Sequence, residues 1–175
     1  MANYFETYAG RKRLQTNLRS WAVEKEADYF ITAAFNRQNS KTVSTPSPST
    51  ARYHLKRWHA RIDKKLLGKH SATADIDDRL FFVAFIEKLD SNPHWHMAVK
   101  LADPSRAMVF EAKAAECWGK IIPSGELDVQ KNDTDLDVFK TGFYSAKDQW
   151  KSRNYNEATI SEDFLTQYRD IQLEA

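Results

Sequence analysis

The sequence predicts an α+β protein in which a mostly antiparallel sheet is flanked by helices. A chain of 175 residues with 42% hydrophobic and 13% aromatic content is large enough to build one core. Short aromatic and β-branched segments alternate with longer amphipathic ones, and two of the short segments adjoin across a turn as a hairpin. We therefore expect a single domain over residues 1–175, with its core in about 28–150.

The first half of the chain predicts a helix, a strand and a second helix. Residues 3–25 place apolar side chains at helical spacing between bases, which predicts a basic amphipathic helix. "DYFITAAFN", residues 28–36, predicts a strand, and the Ser-, Thr- and Pro-rich segment after it predicts a loop. A helix is expected over 51–67, capped by Ser49 or Thr50. Its predicted buried stripe consists of Tyr53, Leu55, Trp58, Ile62, Leu66 and Leu67.

The second half predicts a hairpin, a helix, a strand and a last helix. "DRLFFVAFIEKL" is apolar on both faces and so predicts a central strand, and "HWHMAVKL" returns from it, which makes 81–101 a hairpin. A helix is expected from Pro104 to Gly119, and "GELDVQ" predicts a short strand. Thr134 and Asp137 indicate a capping box for a helix that reaches about 150. The order β-α-β-β-α-β-α is close to the ferredoxin-like or split β-α-β pattern, followed by a polar tail, 151–175, with a short helix near 162–172.

Charge is distributed unevenly although the formal net charge is only +2. Residues 51–70 contain seven bases and one acid, whereas residues 121–148 contain six acids and three bases. A basic face is therefore expected on the helix over 51–67. The single cysteine, Cys117, excludes an internal disulfide and a multi-cysteine zinc site. Without an apolar run of about 20 residues or a secretory signal, the expected location is the cytoplasm, with no membrane partner.

Two histidines lie on one predicted strand, in "HWHMAVKL". Residues two apart on a strand face the same side, so His94 and His96 share a face that Trp95 does not. At that spacing both imidazoles can reach one divalent metal ion, and the turn at 88–93 brings Glu87 near them. A polar strand face or a hydrogen-bonded core histidine gives the same pattern, so the pair alone leaves both interpretations open.

A second short pattern, "FYSAK", lies in the last predicted helix. Tyr144 and Lys147 are three residues apart, which makes them neighbours on one helix face, with Lys140 one turn earlier. A tyrosine and a cation are thus expected side by side. Tyr-x-x-Lys also occurs by chance in many proteins.

Together these patterns resemble the HUH endonucleases, specifically the single-tyrosine initiator proteins of rolling-circle replication. The resemblance depends on a first strand, "FITAAFN", on the His-hydrophobe-His strand, "HWH", and on the helix with "YSAK". It spans about residues 28–150. It implies a protein that nicks and rejoins single-stranded DNA through a covalent 5′-phosphotyrosine.

The resemblance also implies a role for each matching residue. His94 and His96 become metal ligands, Glu87 the third ligand, Tyr144 the nucleophile and Lys147 a group that orients or electrostatically assists the site. Two imidazoles and one carboxylate suit Mn²⁺ or Mg²⁺. The alternatives for the third ligand are Asp78, Asp90 and Asp148.

The implied partner is single-stranded DNA at a replication origin, next to a hairpin, in a bacterial plasmid or phage. No Gly-x-x-x-x-Gly-Lys motif follows, so a separate helicase is expected. The basic helix would bind phosphates, with Tyr53 or Trp58 stacking on bases, although a solvated helix face explains its charge equally well. The expected DNA-binding residues are Arg52, Lys56, Arg57, Arg61, Lys64 and Lys140.

Three other functions fit parts of the sequence. A non-cleaving DNA-binding regulator on the same fold would also use the basic helix. A single-tyrosine transposase or relaxase would share the chemistry. The histidines precede the tyrosine in this chain, however, and that order favours the initiator proteins of replication. A metal sensor or small-molecule enzyme on a barrel would use the His pair, but the chain predicts helices where a barrel needs strands.

Overall fold

The computed structural model describes residues 26–36, 45–89, 91–145 and 158–167, together with the isolated positions 16, 20 and 24. For residues 139, 142–145 and 165–167 only the backbone is described. Thr16, Ser20 and Glu24 are helical, and the rest of the helix predicted over 3–25 lies outside the described residues. Among the described helices, none has the length and apolar character needed to cross a membrane.

Within the described residues, five strands form one antiparallel sheet. They are β1 (Tyr29–Ala34), β2 (Phe81–Glu87), β3 (His94–Lys100), β4 (Glu126–Lys131) and β5 (Thr159–Ile160). Their order in space is β4-β1-β3-β2-β5, and every neighbouring pair is antiparallel. The α+β class with a flanked antiparallel sheet is therefore confirmed, as is the hairpin of β2 and β3.

Over the described ranges 45–89 and 91–145, three α-helices accompany the sheet: α1 (Pro48–Leu67), α2 (Ala107–Gly119) and α3 (Asp135–Ser145). The predicted cap of α1 was wrong, because Ser47 precedes Pro48 and its hydroxyl accepts a hydrogen bond from the Thr50 amide at 3.1 Å. A proline at the first helical position lacks an amide that would be unsatisfied anyway, so α1 begins three residues earlier than predicted. Before α2, Pro104–Arg106 forms a 3₁₀ turn, and the α-helix itself starts at Ala107.

The main core lies between one face of the sheet and helices α1 and α2. Strand β1 alternates buried and half-buried residues, and its buried side faces that core together with the odd-numbered residues of β3. Two indole N–H groups donate hydrogen bonds between elements, each at 3.0 Å. Trp58 of α1 donates to the Ala114 carbonyl of α2, and Trp118 of α2 donates to the Ala34 carbonyl of β1. The face of β3 that carries the even-numbered residues therefore points away from α1 and α2.

Residues 158–167 pack against the sheet and the core. The sequence did not predict this, because residues 151–175 were expected to form a polar tail. Thr159 and Ile160 pair with β2, and Ser161–Gln167 forms a 3₁₀ segment whose Phe164 side chain is buried in the main core. A strand of two residues is too short to show a period, and one phenylalanine in a polar stretch carries little signal. The folded core thus extends beyond the predicted boundary at 150.

Candidate metal centre

Two adjacent strands place three potential ligands on the sheet face opposite α1 and α2. In the ladder between β2 and β3, Glu87 lies directly opposite His94, and Phe85 lies opposite His96. Glu87, His94 and His96 therefore occupy neighbouring positions on one face, with their candidate ligand atoms all within 4.8 Å of one another. The alternation predicted for the "HWH" strand is confirmed, because Trp95 between the histidines is part of the main core.

The distances within this cluster suit metal coordination. Oε2 of Glu87 lies 3.6 Å from Nε2 of His94 and 3.4 Å from Nε2 of His96. Ligands that each lie about 2.1 Å from one ion are separated by roughly 3.0–3.4 Å in octahedral or tetrahedral geometry. The two distances from the Glu87 carboxylate lie at or just above that spacing, so this carboxylate is close enough to share one ion with either imidazole.

The outer nitrogens of both imidazoles have partners that leave the inner nitrogens facing Glu87. The Asn92 carbonyl lies 2.8 Å from Nδ1 of His94, so Nδ1 carries the proton and donates to it. The Thr32 hydroxyl lies 3.1 Å from Nδ1 of His96, and Thr32 is also the direct β1 neighbour of His96 in the sheet. Such outer contacts are the ones that orient metal-binding imidazoles and set their tautomer.

Electrostatics keep the carboxylate ionised in spite of its burial. The Glu87 side chain is only 2% exposed. Burial alone would raise the pKa of Glu87, but hydrogen bonding and charge from His94 and His96 outweigh it and hold that pKa well below its usual value. A protonated imidazole would donate its Nε2–H to this carboxylate, so the three side chains can share either protons or a metal ion.

An aromatic ring packs against one of the imidazoles of the cluster. Phe30 of β1 stacks on His96 with ring centroids 5.3 Å apart and an interplanar angle of 21°. The two imidazoles meet edge to face, with centroids 4.7 Å apart. Both histidine side chains are 11% exposed, so they are largely shielded from bulk water.

The three alternatives for the third ligand do not join this cluster in the described residues. Asp78 ends an exposed 3₁₀ turn, Ile76–Asp78, and is not among the clustered side chains. Asp90 and Asp148 lie outside the described residues. Glu87 is thus the carboxylate that the structure brings to the histidines.

Only part of the predicted tyrosine motif falls within the described residues. Tyr144 lies in α3, which packs against β3 and β1, the strands that carry His96 and its partner Thr32. Thr141 anchors α3 by donating to the Asn132 side chain at 2.8 Å, and Asn132 in turn donates to the Ala27 carbonyl at 2.7 Å. The side chain of Tyr144 and the whole of Lys147 lie outside the described residues.

The predicted DNA-binding residues of α1 lie on the far side of the sheet from the cluster. Helix α1 covers the opposite face, and Arg52 forms an ion pair with Asp163 at 3.0 Å. Arg57 lies over the Tyr53 ring, 5.8 Å from its centroid. Lys140 is separate from them, on α3, where it pairs with Asp137 at 3.5 Å.

The structure confirms the buried position predicted for Trp58 but contradicts the one predicted for Tyr53. Trp58 is fully buried, so it cannot stack on a base, whereas Tyr53 is 54% exposed and does not belong to the buried stripe. Position 53 lies at the margin of the apolar stripe, and its ring packs beside His54 and Arg57 instead of entering the core.

Sequence reasoning missed the residues that position the two histidines. The hydroxyl of Thr32 and the backbone carbonyl of Asn92 act from other segments of the chain. Thr32 lies in the predicted first strand, directly opposite His96 of β3. Knowledge of that pairing would have identified Thr32, but the register between non-consecutive strands cannot be read from the sequence. A backbone carbonyl leaves no side-chain signal at all.

Comparison of the chain with protein-family models, with curated proteins and with solved structures found no significant match.

Proposed function

We propose that this protein is a metal-dependent endonuclease that nicks and rejoins single-stranded DNA to initiate rolling-circle replication. The observation that carries the proposal is the cluster of Glu87, His94 and His96 on paired strands, with the helix that contains Tyr144 packed against one of them. These are the elements on which the resemblance to HUH endonucleases depends.

The connectivity supports the same proposal. The described elements follow the order β-α-β-β-α-β, and the first four strands are arranged β4-β1-β3-β2. This is the arrangement expected of a split β-α-β fold. The fold alone hosts many functions, so the proposal rests on the cluster and the tyrosine helix taken together.

The donor set fits a divalent cation that must also bind phosphate. Glu87, His94 and His96 would hold Mn²⁺ or Mg²⁺, with imidazole favouring Mn²⁺ somewhat, and three protein ligands leave coordination positions open. When bound, such an ion acts as a Lewis acid on a phosphoryl oxygen. Glu87 contributes the one negative charge among the ligands and offsets part of the charge of the cation.

Tyr144 would supply the nucleophile. Its phenolic oxygen, after losing its proton to solvent, attacks the phosphorus of a phosphodiester and forms a phosphotyrosine bond. The bond from phosphorus to the 3′ oxygen breaks, and that oxygen takes up a proton to become a free 3′-hydroxyl. Because the number of phosphate ester bonds does not change, the reverse attack by a 3′-hydroxyl rejoins the strand.

Lys147 would stabilise this step electrostatically. A cation three residues after the tyrosine on a helix lies on the same face, where it favours the phenolate and the charged phosphate. The substrate proposed from the resemblance is single-stranded DNA at an origin next to a hairpin, exposed by a separate helicase.

The test is a covalent-adduct assay on a denaturing gel. The protein is incubated with Mn²⁺ and with single-stranded oligonucleotides drawn from the DNA around its own gene, beside Tyr144→Phe and His96→Ala. Tyr53→Phe is the matched control, because it removes the same hydroxyl from an exposed tyrosine on the opposite side of the sheet.

We expect a protein band shifted by the mass of a DNA fragment in the wild type and in Tyr53→Phe. The band should be lost in Tyr144→Phe, in His96→Ala and after chelation. If the protein binds both DNA and Mn²⁺ but forms no adduct on any oligonucleotide, the proposal fails in favour of a non-cleaving DNA-binding regulator.

A further inference from the structure

A basic groove lies between the carboxyl ends of α1 and α2, on the molecular face away from the metal cluster. It has a volume of about 380 Å³ and is lined by five cationic side chains, with Gly68 and Cys117 between them. The five cations, here called the groove cations, are Arg61, Lys64, Lys65, Lys69 and Lys120. They come from two helices and the turn after α1, so the concentration of charge depends on the tertiary fold.

The residues that the structure describes compensate little of the charge in this groove. In the described part of the chain, no acidic partner lies within ion-pair distance of the first four groove cations, and only Lys120 has one, Glu116. The single acid of α1, Asp63, is turned into the core, where it accepts from the Arg79 guanidinium and from the Leu80 amide. Among the described residues that line the groove, none is acidic.

Three of the groove cations act on one group. Burial and the charge of Glu116 raise the pKa of the Cys117 thiol, while the positive charges of Lys65, Lys120 and Arg61 act in the opposite direction. Cations on both helices are therefore close enough to influence one group. The negative ends of the two helix dipoles reduce the repulsion between the cations, but they do not neutralise four exposed charges.

The lining of the groove also indicates how an anion would be recognised. None of the described residues that line the groove is aromatic, so these residues offer no surface on which unpaired bases could stack. Four ammonium groups and one guanidinium instead suit repeated phosphates, which carry no sequence information. Arg61 and Lys65 are one helical turn apart, about 6 Å along the axis, and so can contact successive charges of one backbone.

We infer that this groove is a second DNA-binding site, one that holds the phosphate backbone of duplex DNA without metal and without sequence preference. The choice of DNA as the polyanion rests on the proposed function, in which duplex must flank the single strand that is nicked. The two sites lie on opposite faces of the sheet, so they would bind different segments of the same DNA.

The test is a fluorescence anisotropy titration of a labelled DNA duplex of 20 base pairs, in chelator, at several salt concentrations. The groove variant is Lys64→Gln with Lys65→Gln, which removes two charges while preserving helix propensity. Lys131→Gln is the control for charge, because Lys131 lies on the edge strand β4, outside the groove. Circular dichroism melting establishes that each variant is folded.

We expect the wild type to bind the duplex with log K falling linearly against log salt, and the double variant to show a slope shallower by about 1.8, or about 0.9 for each lost contact. Its affinity at 0.1 M salt should fall by more than about tenfold, whereas Lys131→Gln should change little. His96→Ala should bind the duplex as the wild type does, because the metal cluster is not used.

Several results would overturn this inference. One is an absence of duplex binding at low salt, and another is a groove variant whose affinity and salt slope equal those of Lys131→Gln. A third is displacement of the duplex by millimolar inorganic phosphate, which would indicate a site for small anions. Each is distinguishable from failure of the proposed function, because the covalent-adduct assay uses short single strands and depends on Tyr144 and the metal cluster.

Discussion

At the scale of single residues, the candidate site depends on groups that hold imidazoles in place as much as on the imidazoles themselves. Nδ1 of His94 is held by a backbone carbonyl, whereas Nδ1 of His96 is held by the Thr32 side chain. Only the second contact comes from a side chain and can be removed by a single substitution. A change at Thr32 therefore tests whether this contact positions His96.

Thr32→Val should weaken Mn²⁺ binding by about 10–100-fold, the usual effect of losing an outer-shell partner. Valine has the same shape and an equal preference for strands, so the sheet should be unaffected while the hydroxyl that orients His96 is lost. Isothermal titration calorimetry measures the affinity. Thr32→Ser, which keeps the hydroxyl, should bind nearly as the wild type does, and equal affinity in Thr32→Val would show that Thr32 has no positioning role.

A histidine far from the cluster should control part of the acid sensitivity of the fold. His59 is fully buried, and its Nε2 donates to the Leu80 carbonyl at 2.9 Å. Burial lowers the pKa of His59, although the nearby Asp63 charge partly opposes this. As the pH falls below about 6.5, the ordinary value, the unfolded chain binds a proton that the folded chain does not, so the free energy of unfolding decreases.

His59→Gln should flatten that decrease between about pH 7 and pH 5, by up to about 1.4 kcal/mol for each pH unit. Urea unfolding in chelator measures the free energy at each pH. His70→Gln, a change of an exposed histidine, should keep the slope of the wild type. An identical slope in His59→Gln would mean that His59 is not the buried neutral group described.

At the scale of elements, one close approach joins α2 to β1. A Cβ atom added at Gly125 would lie 2.6 Å from both the Ala34 carbonyl oxygen and Nε1 of Trp118, two groups that are hydrogen-bonded to each other. Neither a backbone oxygen nor a buried indole can move aside easily. The loop before β4 therefore requires glycine at this position.

Gly125→Ala should destabilise the protein by about 1–3 kcal/mol, the range for overpacking a close contact. Gly119→Ala is the matched control, since nothing lies within 4 Å of a Cβ at that position, and it should be neutral or stabilising by up to about 1 kcal/mol. Thermal or urea unfolding compares the two. Similar stabilities for both variants would contradict the packing of Trp118 on β1.

The elements that the sequence predicts well are those with strong periodicity or composition. The hairpin of β2 and β3 follows from two apolar runs around a polar turn, and β4 follows from a short alternating segment. The start of α1 was misplaced because several residues near Ser47 can all cap a helix. Strand β5 was missed because its pairing with β2 is long-range and only two residues long.

The candidate site was predictable only in part, for a similar reason. The period of a strand places His94 and His96 together, and the hairpin brings Glu87 opposite them, so the cluster itself could be expected from local patterns. The contacts from Thr32 and Phe30 depend on the pairing of β1 with β3, and Thr32 is 64 residues from His96 along the chain. Local patterns carry no information on such pairing.

At the scale of the whole molecule, the sheet separates two chemically different faces. One carries the buried carboxylate and two imidazoles, and the other carries α1 and α2 with the groove cations. The sequence indicates both features but not that they lie on opposite sides. The basic helix α1 lies on the far face, so its charges are separated from the cluster by the sheet.

We propose that Glu87, His94 and His96 together bind one divalent metal ion. The most direct measurement is a titration of the chelator-treated protein with Mn²⁺, in which free Mn²⁺ is followed by electron paramagnetic resonance, for the wild type, Glu87→Gln, His96→Ala and His70→Ala. We predict one ion bound per chain in the wild type and in His70→Ala, with binding lost or weakened at least about tenfold in the other two variants. No binding by the wild type, or equal binding by all four proteins, would contradict the claim.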